Sequence, residues 1–291
     1  MKGAAVVGVW SFVGYHLLLK LLDEEVDVVG IDQEPLSKLS RINEEKLFLI
    51  GRNAYFSYYS LQEKNVFQQM QPDDIDTVFF CLYEPNQPSF PSEREEEKTF
   101  KEVIRYCAHY KKRLVFLSSI EASAVHLHTM KGKKENHIST ENGNFFYKRE
   151  ASLTHHQISY AVLQVPVVYG PWQPSFMTYH QLILSHILNQ DLNIESNETS
   201  EDSIYVSDVA QCLYEMGKQE TSEIYFIESG QSEQWKKGIE LLKGETEGFL
   251  TPKPSEKHTA LRYAYRPQFT LKEGLIEQEA HIKKYQHLYN T

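Results

Sequence analysis

One feature constrains this chain more than any other. A short apolar run, Ala4 to Val9, passes through Gly8-Val9-Trp10-Ser11-Phe12-Val13-Gly14 into a second apolar stretch, Tyr15 to Leu22. The first run has the length of a buried strand and the second that of a buried helix, with glycines punctuating the join, so the segment reads strand, turn, helix. Glu24-Glu25 breaks the pattern, and Val26-Asp27-Val28-Val29-Gly30-Ile31-Asp32 reads as a second strand closing on an acid. The whole is a βαβ unit.

A glycine turn opening a helix is an anion site, because the first N–H groups of a helix lack partners and its dipole favours negative charge there. In the G-x-x-G-x-x-G arrangement that cradles a dinucleotide pyrophosphate, Gly8 makes the tight turn and Gly14 lets helix and strand approach. Phe12 and Val13 open the helix, and Ser11 stands where the middle glycine would be, its hydroxyl able to donate a hydrogen bond in place of the lost space. Asp32 is placed to accept hydrogen bonds from the adenosine ribose hydroxyls, and its charge repels a 2′-phosphate, so NAD is expected in preference to NADP. The competing reading makes Gly8 and Gly14 turn and packing glycines and Asp32 a strand-end residue.

Further on, Leu47 to Ile50 and Tyr55 to Tyr59 are both strand-like, and the second is preferred as the sheet strand. Asp76 to Leu82 and Arg113 to Ser119 read as buried strands, and between them Phe100, Val103, Ile104 and Cys107 recur at helical spacing. His126 to Asn144 is polar and reads as a loop, followed by a helix around Tyr147 to His155 and a strand from Ala161 to Val168. Strands alternating with helices in this way imply an α/β fold, a Rossmann-type doubly wound parallel sheet. After Pro171 the rhythm loosens. Thr178 to Leu188 looks helical, Ile204-Tyr205-Val206 is a short apolar piece, Ser222 to Glu228 holds one more strand, and a last helix runs from Leu271 to His287. The expected domains are therefore a dinucleotide-binding domain over 1–170, rejoined by about 204–230, and a small C-terminal substrate lobe over 171–291.

Composition narrows the partners. With 30 basic and 40 acidic side chains the net charge is −10, which argues against nucleic acid and anionic membranes. The three cysteines are far apart and in no C-x-x-C pairing, so neither a disulfide framework nor a zinc site is indicated. His126-x-His128 lacks a third ligand, and no metal is expected. The opening apolar run is too short to span a membrane and carries no cleavage pattern, so a cytoplasmic protein is expected.

The order of motifs resembles the extended short-chain dehydrogenase/reductases, specifically the NAD-dependent epimerase/dehydratase family that acts on nucleotide sugars. Val7-Gly8 through Gly14-Tyr15-His16-Leu17 is similar to its T-G-G-x-G-F-I-G-x-H-L opening, and Val115 to Ser119 to its V-x-V-S-S strand. Val167-Val168-Tyr169-Gly170-Pro171, Ile204 to Ala210 and Leu271-Lys272-Glu273-Gly274-Leu275 are similar to its V-Y-G-P, F-I-x-V-x-D-V-A and L-x-E-G-L segments. The resemblance implies bound NAD, a small-molecule substrate, a homodimer, a catalytic Ser/Thr at Ser119, and a Y-x-x-x-K pair whose lysine falls on Lys148. That lysine would hold the nicotinamide ribose.

Several positions depart from the family pattern. Asn144 stands four residues before Lys148, where the tyrosine belongs, and an amide does not ionise to act as a base. Glu121 falls where dehydratases carry a proton-abstracting glutamate, or is simply a loop residue. Glu201-Asp202-Ser203 replaces the arginine that meets the substrate diphosphate, Ser60-Leu61 replaces the D-L pair that reads adenine, and Phe80-Cys81-Leu82-Tyr83 replaces the small residues beside cofactor. Two readings stay open: an NAD-dependent redox enzyme, or a catalytically inactive NAD-binding sensor or partner-binding scaffold.

Overall fold

The computed structural model describes residues 1–82, 92–130, 140–190, 194, 198, 200–243 and 259–289. The chain begins β1 (Gly3–Val7), α1 (Phe12–Asp23), β2 (Asp27–Asp32), the unit expected from its apolar pattern. α1 starts at Ser11, whose hydroxyl oxygen accepts the N–H of Gly14, and buries Phe12, Val13, Tyr15, Leu17, Leu18 and Leu21 around most of its circumference. Next come α2 (Arg41–Ile50), β3 (Phe56–Ser60), α3 (Val66–Gln69), β4 (Thr77–Phe80), α4 (Glu93–Tyr110) and β5 (Arg113–Ser119). Leu47 to Ile50, strand-like in sequence, ends a helix, because the Ser40 side chain caps it and Gly51 stops it with φ +64°. α4 opens with a reciprocal capping box between Ser92 and Glu95 and closes on Lys111 in the left-handed region.

The stretch read as one loop from His126 to Asn144 is shorter than expected, since α5 (Glu121–Met130) enters it and α6 (Glu141–Thr154) leaves it. Lys131 to Lys134 lies outside the described residues. The strand expected from Ala161 to Val168 is two strands, β6 (Tyr160–Val165) and β7 (Val167–Tyr169). Pro166 separates them, having no N–H for a ladder. The chain continues with α7 (Thr178–Leu188), β8 (Ser203–Tyr205), α8 (Val206–Gly217), β9 (Glu223–Phe226), α9 (Gln234–Lys243), β10 (Leu261–Arg262), α10 (Leu271–Lys284) and α11 (Gln286–Tyr289). α8, α9 and β10 were not read from the sequence, and Ile204 to Val206 closes a strand and opens a helix. The eight-stranded sheet has the order β10-β9-β6-β5-β4-β1-β2-β3, and β7 pairs with β8 apart from it. β1 runs parallel to both β2 and β4, β2 to β3, β4 to β5 and β10 to β9. This is the expected Rossmann-type α/β architecture.

The chain forms two compact units, one of Met1–Ser118, Phe145–Leu163 and Ala210–Ile224, the other of Ser119–Asn144, Gln164–Val209 and Tyr225–Thr291. The division thus crosses the sequence several times. In the first unit, buried Arg113 shows why a remote segment returns. Its guanidinium donates to the carbonyls of Met216 and Thr221 (both 2.9 Å) and to the Ser159 hydroxyl (2.7 Å). The end of α8 is thereby supplied with donors for carbonyls that a helix leaves unpaired. Thr77 donates to the Gly217 carbonyl at 3.0 Å, and a Cβ on Gly217 would press on the Phe79 ring. The second unit has its own core of Val167, Tyr169, Tyr179, Leu182, Tyr205, Trp235, Ile239 and Leu275.

Replacing buried Arg113 with methionine should remove its hydrogen bonds to the Met216 and Thr221 carbonyls and to the Ser159 hydroxyl and destabilise the protein by roughly 3 kcal/mol, read as a lowered urea midpoint at constant slope.

Candidate functional site

The turn after β1 is built on Gly8. Its φ is +85°, and a Cβ there would fall on the backbone of Cys81 and Leu82. A side chain at Gly14 would meet the Gly8 carbonyl and the Ser11 hydroxyl. The turn therefore packs backbone against backbone, which leaves its first helical amides, at Phe12 and Val13, at the end of α1 that attracts anions. Ser11 spends its hydroxyl oxygen as acceptor on Gly14 N at 3.0 Å, so it caps the helix. Trp10, Ser11, Phe12 and Val13 are all buried.

Asp32 closes β2 beside this turn. One carboxylate oxygen accepts the Trp10 N–H at 2.8 Å and the other the Gln33 N–H at 2.7 Å. Burial raises its pKa to about 6, against the pull of those two N–H groups and of the Lys46 charge. Lys46, on α2, was not singled out in the sequence. It is buried, donates to the Trp10 carbonyl at 2.5 Å and lies 5.4 Å from the centre of the Tyr15 ring. Trp10 is thus held by its N–H from Asp32 and by its C=O from Lys46, with its indole packed against Phe56 and Tyr58 of β3. Only the helical course of α2 turns Lys46 inward, and the strand-like look of Leu47 to Ile50 hides that.

The other expected cofactor residues lie near the same strand ends. The Leu61 N–H donates to the Asp32 carbonyl at 2.7 Å, and the Cys81 N–H to the Val7 carbonyl at 2.8 Å. Burial pushes the Cys81 thiol well up, so it is a packing thiol. Tyr83 lies outside the described residues.

Still in the first unit, two consecutive residues of α6 are buried and tied. Arg149 pairs with Glu96 of α4 at 2.6 Å, and Ser118, at the end of β5, donates to Glu150 at 2.5 Å. Burial raises Glu96 to a pKa of about 7 even with Arg149 beside it. Lys148, immediately before them, faces outward, its side chain 63% exposed and 3.9 Å from Glu93. An exposed pair of this kind contributes about 1 kcal/mol or less.

In the second unit, the Ser119 hydroxyl oxygen accepts the Glu121 N–H at 3.2 Å. Glu121 accepts the Thr140 hydroxyl, and Thr140 in turn accepts the Gly143 N–H at 2.9 Å, which ties Glu121 to the start of α6. Asn144 is half-buried on the first turn of that helix, donating its N–H to the Thr140 carbonyl at 3.1 Å. Asp202, within the Glu201-Asp202-Ser203 segment that replaces the family's arginine, is a half-buried clamp: it accepts the Ser229 N–H at 2.7 Å, the Ser229 hydroxyl and the Ser203 N–H. Among the described residues no group of three or more His, Cys, Asp or Glu is arranged to hold a metal ion.

These features define a Rossmann-type α/β protein with a glycine turn at the carboxyl end of its central strand. The chain belongs to the NAD dependent epimerase/dehydratase family, whose profile matches residues 4–227. A curated relative, the bifunctional polymyxin resistance protein ArnA of Wigglesworthia glossinidia brevipalpis, is 28% identical over 149 residues. That match takes in 50% of this chain but only 21% of the relative's length. Among solved structures, the UDP-glucuronic acid 4-epimerase of Bacillus cereus in complex with NAD is similar at 22% identity and a TM-score of 0.70, over 97% of this chain and 99% of that one. The UDP-glucose 4-epimerase of Thermotoga maritima with UDP-glucose is similar at 20% identity and 0.71, over 98% and 99%. The dTDP-glucose 4,6-dehydratase of Bacillus anthracis in complex with NAD gives 16% and 0.70, over 99% and 98%.

Asp32 yields a pH prediction. Below pH about 6 its carboxyl takes a proton and loses acceptor capacity, so a dinucleotide whose hydroxyls donate to it would be held less tightly as pH falls through that value. Titration calorimetry at pH 5 should give an affinity about tenfold weaker than at pH 7.5, with the difference abolished in Asp32→Asn.

Proposed function

We propose that this chain is an NAD-binding protein of the epimerase/dehydratase type, with a nucleotide sugar or related carbohydrate as the class of small molecule it takes. The observation that carries this reading is the turn itself. Gly8 and Gly14 hold backbone against backbone, and Asp32 stands at the end of β2 with its carboxylate beside the helix N-terminus. The amides of Phe12 and Val13 would meet the pyrophosphate and Asp32 the adenosine ribose hydroxyls, where a 2′-phosphate would be repelled. Bound there, NAD would supply a hydride acceptor. Similar solved structures in complex with NAD or UDP-glucose support this reading at the level of the fold.

The second unit, with the 171–291 region, would serve as the substrate lobe, with Ser119 polarising the reacting oxygen and Glu121 or Asn144 beside it. A catalytically inactive sensor or scaffold is the second reading, favoured by the outward Lys148 and its pairing with Glu93. The three cysteines are buried thiols outside any disulfide, which supports a cytoplasmic setting. No described helix is long and apolar enough to cross a membrane. Assembly as a homodimer rests on the family resemblance alone.

Calorimetric titration of the purified protein should show NAD binding more tightly than NADP, and Asp32→Ala should weaken NAD by about tenfold or more while narrowing the gap between the two. Heat for neither dinucleotide would refute the proposal.

A further inference from the structure

α6 carries the residues the family pattern would use, and the structure shows which of its faces meets the sheet. Ligands of open α/β sheets bind outside the carboxyl ends of the strands, and the carboxyl end of β5 is Ser118–Ser119. Two side chains of α6 reach that strand. Phe146, 6% exposed, lies with its ring centre 6.2 Å from that of Phe116, and Glu150 accepts the Ser118 hydroxyl at 2.5 Å. They are four residues apart, so they lie one turn above the other on one stripe, which continues back to Asn142. At about 100° per residue, Lys148 is about 200° around the helix from Phe146. It belongs to the opposite stripe, with exposed Glu141 and half-buried Asn144, and its partner is Glu93 on α4.

Two further ties hold this rotation. Arg149 is buried against Glu96 and lies 4.7 Å from the Phe145 ring centre. Turning Lys148 inward would carry Arg149 and Glu150 out of their partners, and stripping one member from a buried pair leaves an uncompensated buried charge.

We propose that α6 presents its face of Phe146 and Glu150, and not Lys148, to β5, Glu150 reaching the strand's carboxyl end at Ser118, so that a dinucleotide held at the Gly8–Gly14 turn meets no lysine on this helix. On this face a four-residue spacing holds Asn142 and Phe146, an amide and a phenyl ring, neither of which takes or gives a proton at neutral pH. The chain then retains its dinucleotide as a bound ligand and does not turn it over through a tyrosine–lysine pair. This inference rests on the dinucleotide reading above and settles between its two versions in favour of binding without turnover.

The test uses the whole chain. Amine acylation followed by peptide mass spectrometry should label Lys148 as fast as exposed Lys98, while buried Lys46 stays unlabelled. Saturating NAD should change the Lys148 rate by less than about twofold, and Lys148→Ala, a surface change, should leave NAD affinity within about twofold. NAD-loaded protein given UDP-glucose or UDP-glucuronic acid should form neither reduced nicotinamide nor epimerised sugar. Protection of Lys148 by NAD, a loss of affinity of about tenfold in Lys148→Ala, or turnover that this variant abolishes would each overturn the proposal. If the wild-type chain binds no NAD, the dinucleotide reading fails; the apo labelling still decides the helix face, an unreactive Lys148 overturning the assignment and a reactive one upholding it.

Discussion

The first unit depends on one close approach. β1 lies between β2 and β4 at the middle of its strands, and the chain can leave β1 for α1 only by turning under the backbone that follows β4. Gly8 permits this: its φ of +85° and its missing Cβ leave room for Cys81 and Leu82. The same turn carries the Gly8 N–H to the Ile31 carbonyl at 2.8 Å, so β1, β2 and the segment after β4 meet at one point. A larger residue would strain the backbone and push apart three strand ends together. The anion-attracting end of α1 and the carboxylate of Asp32 are neighbours because of that convergence.

Around it the unit is organised by buried charge held in defined partners. Lys46 and Asp32 grip the two polar backbone groups of Trp10, Arg113 gathers carbonyls at and beyond the end of α8, and Arg149 and Glu150 fix the rotation of α6. Charges taken out of water are tolerated only when paired or hydrogen-bonded, so each selects one arrangement of the elements it joins. The raised pKa values of Asp32 and Glu96 are the electrostatic cost of this arrangement. In the second unit Asp202 serves Ser229 and Ser203 in the same way, so this acid of the Glu201-Asp202-Ser203 segment has a structural task.

Much of the first unit was legible in the sequence because its strands are continuous apolar runs and its turn is marked by glycine. The second unit was less so. Pro166 splits an apolar run that looked continuous, and α8 begins directly where β8 ends, so no polar gap announces it. β10 is two exposed residues long and has no apolar signal of its own. Within the candidate site, Gly8, Gly14 and Asp32 stood out by type and spacing. Lys46 did not, since a lysine among Glu44, Glu45 and Leu47 shows its burial only once the helix and its neighbours are in place.

By itself the sequence determined the βαβ opening, the family order of motifs and the parallel α/β class, because local apolar periodicity and turn chemistry suffice for these. Only the tertiary structure decided which face of α6 meets the sheet. A motif spacing of four residues fixes that two side chains share a face, but the rotation of that face is set by what the neighbouring residues bury, here Phe146 on Phe116, Glu150 on Ser118 and Arg149 on Glu96.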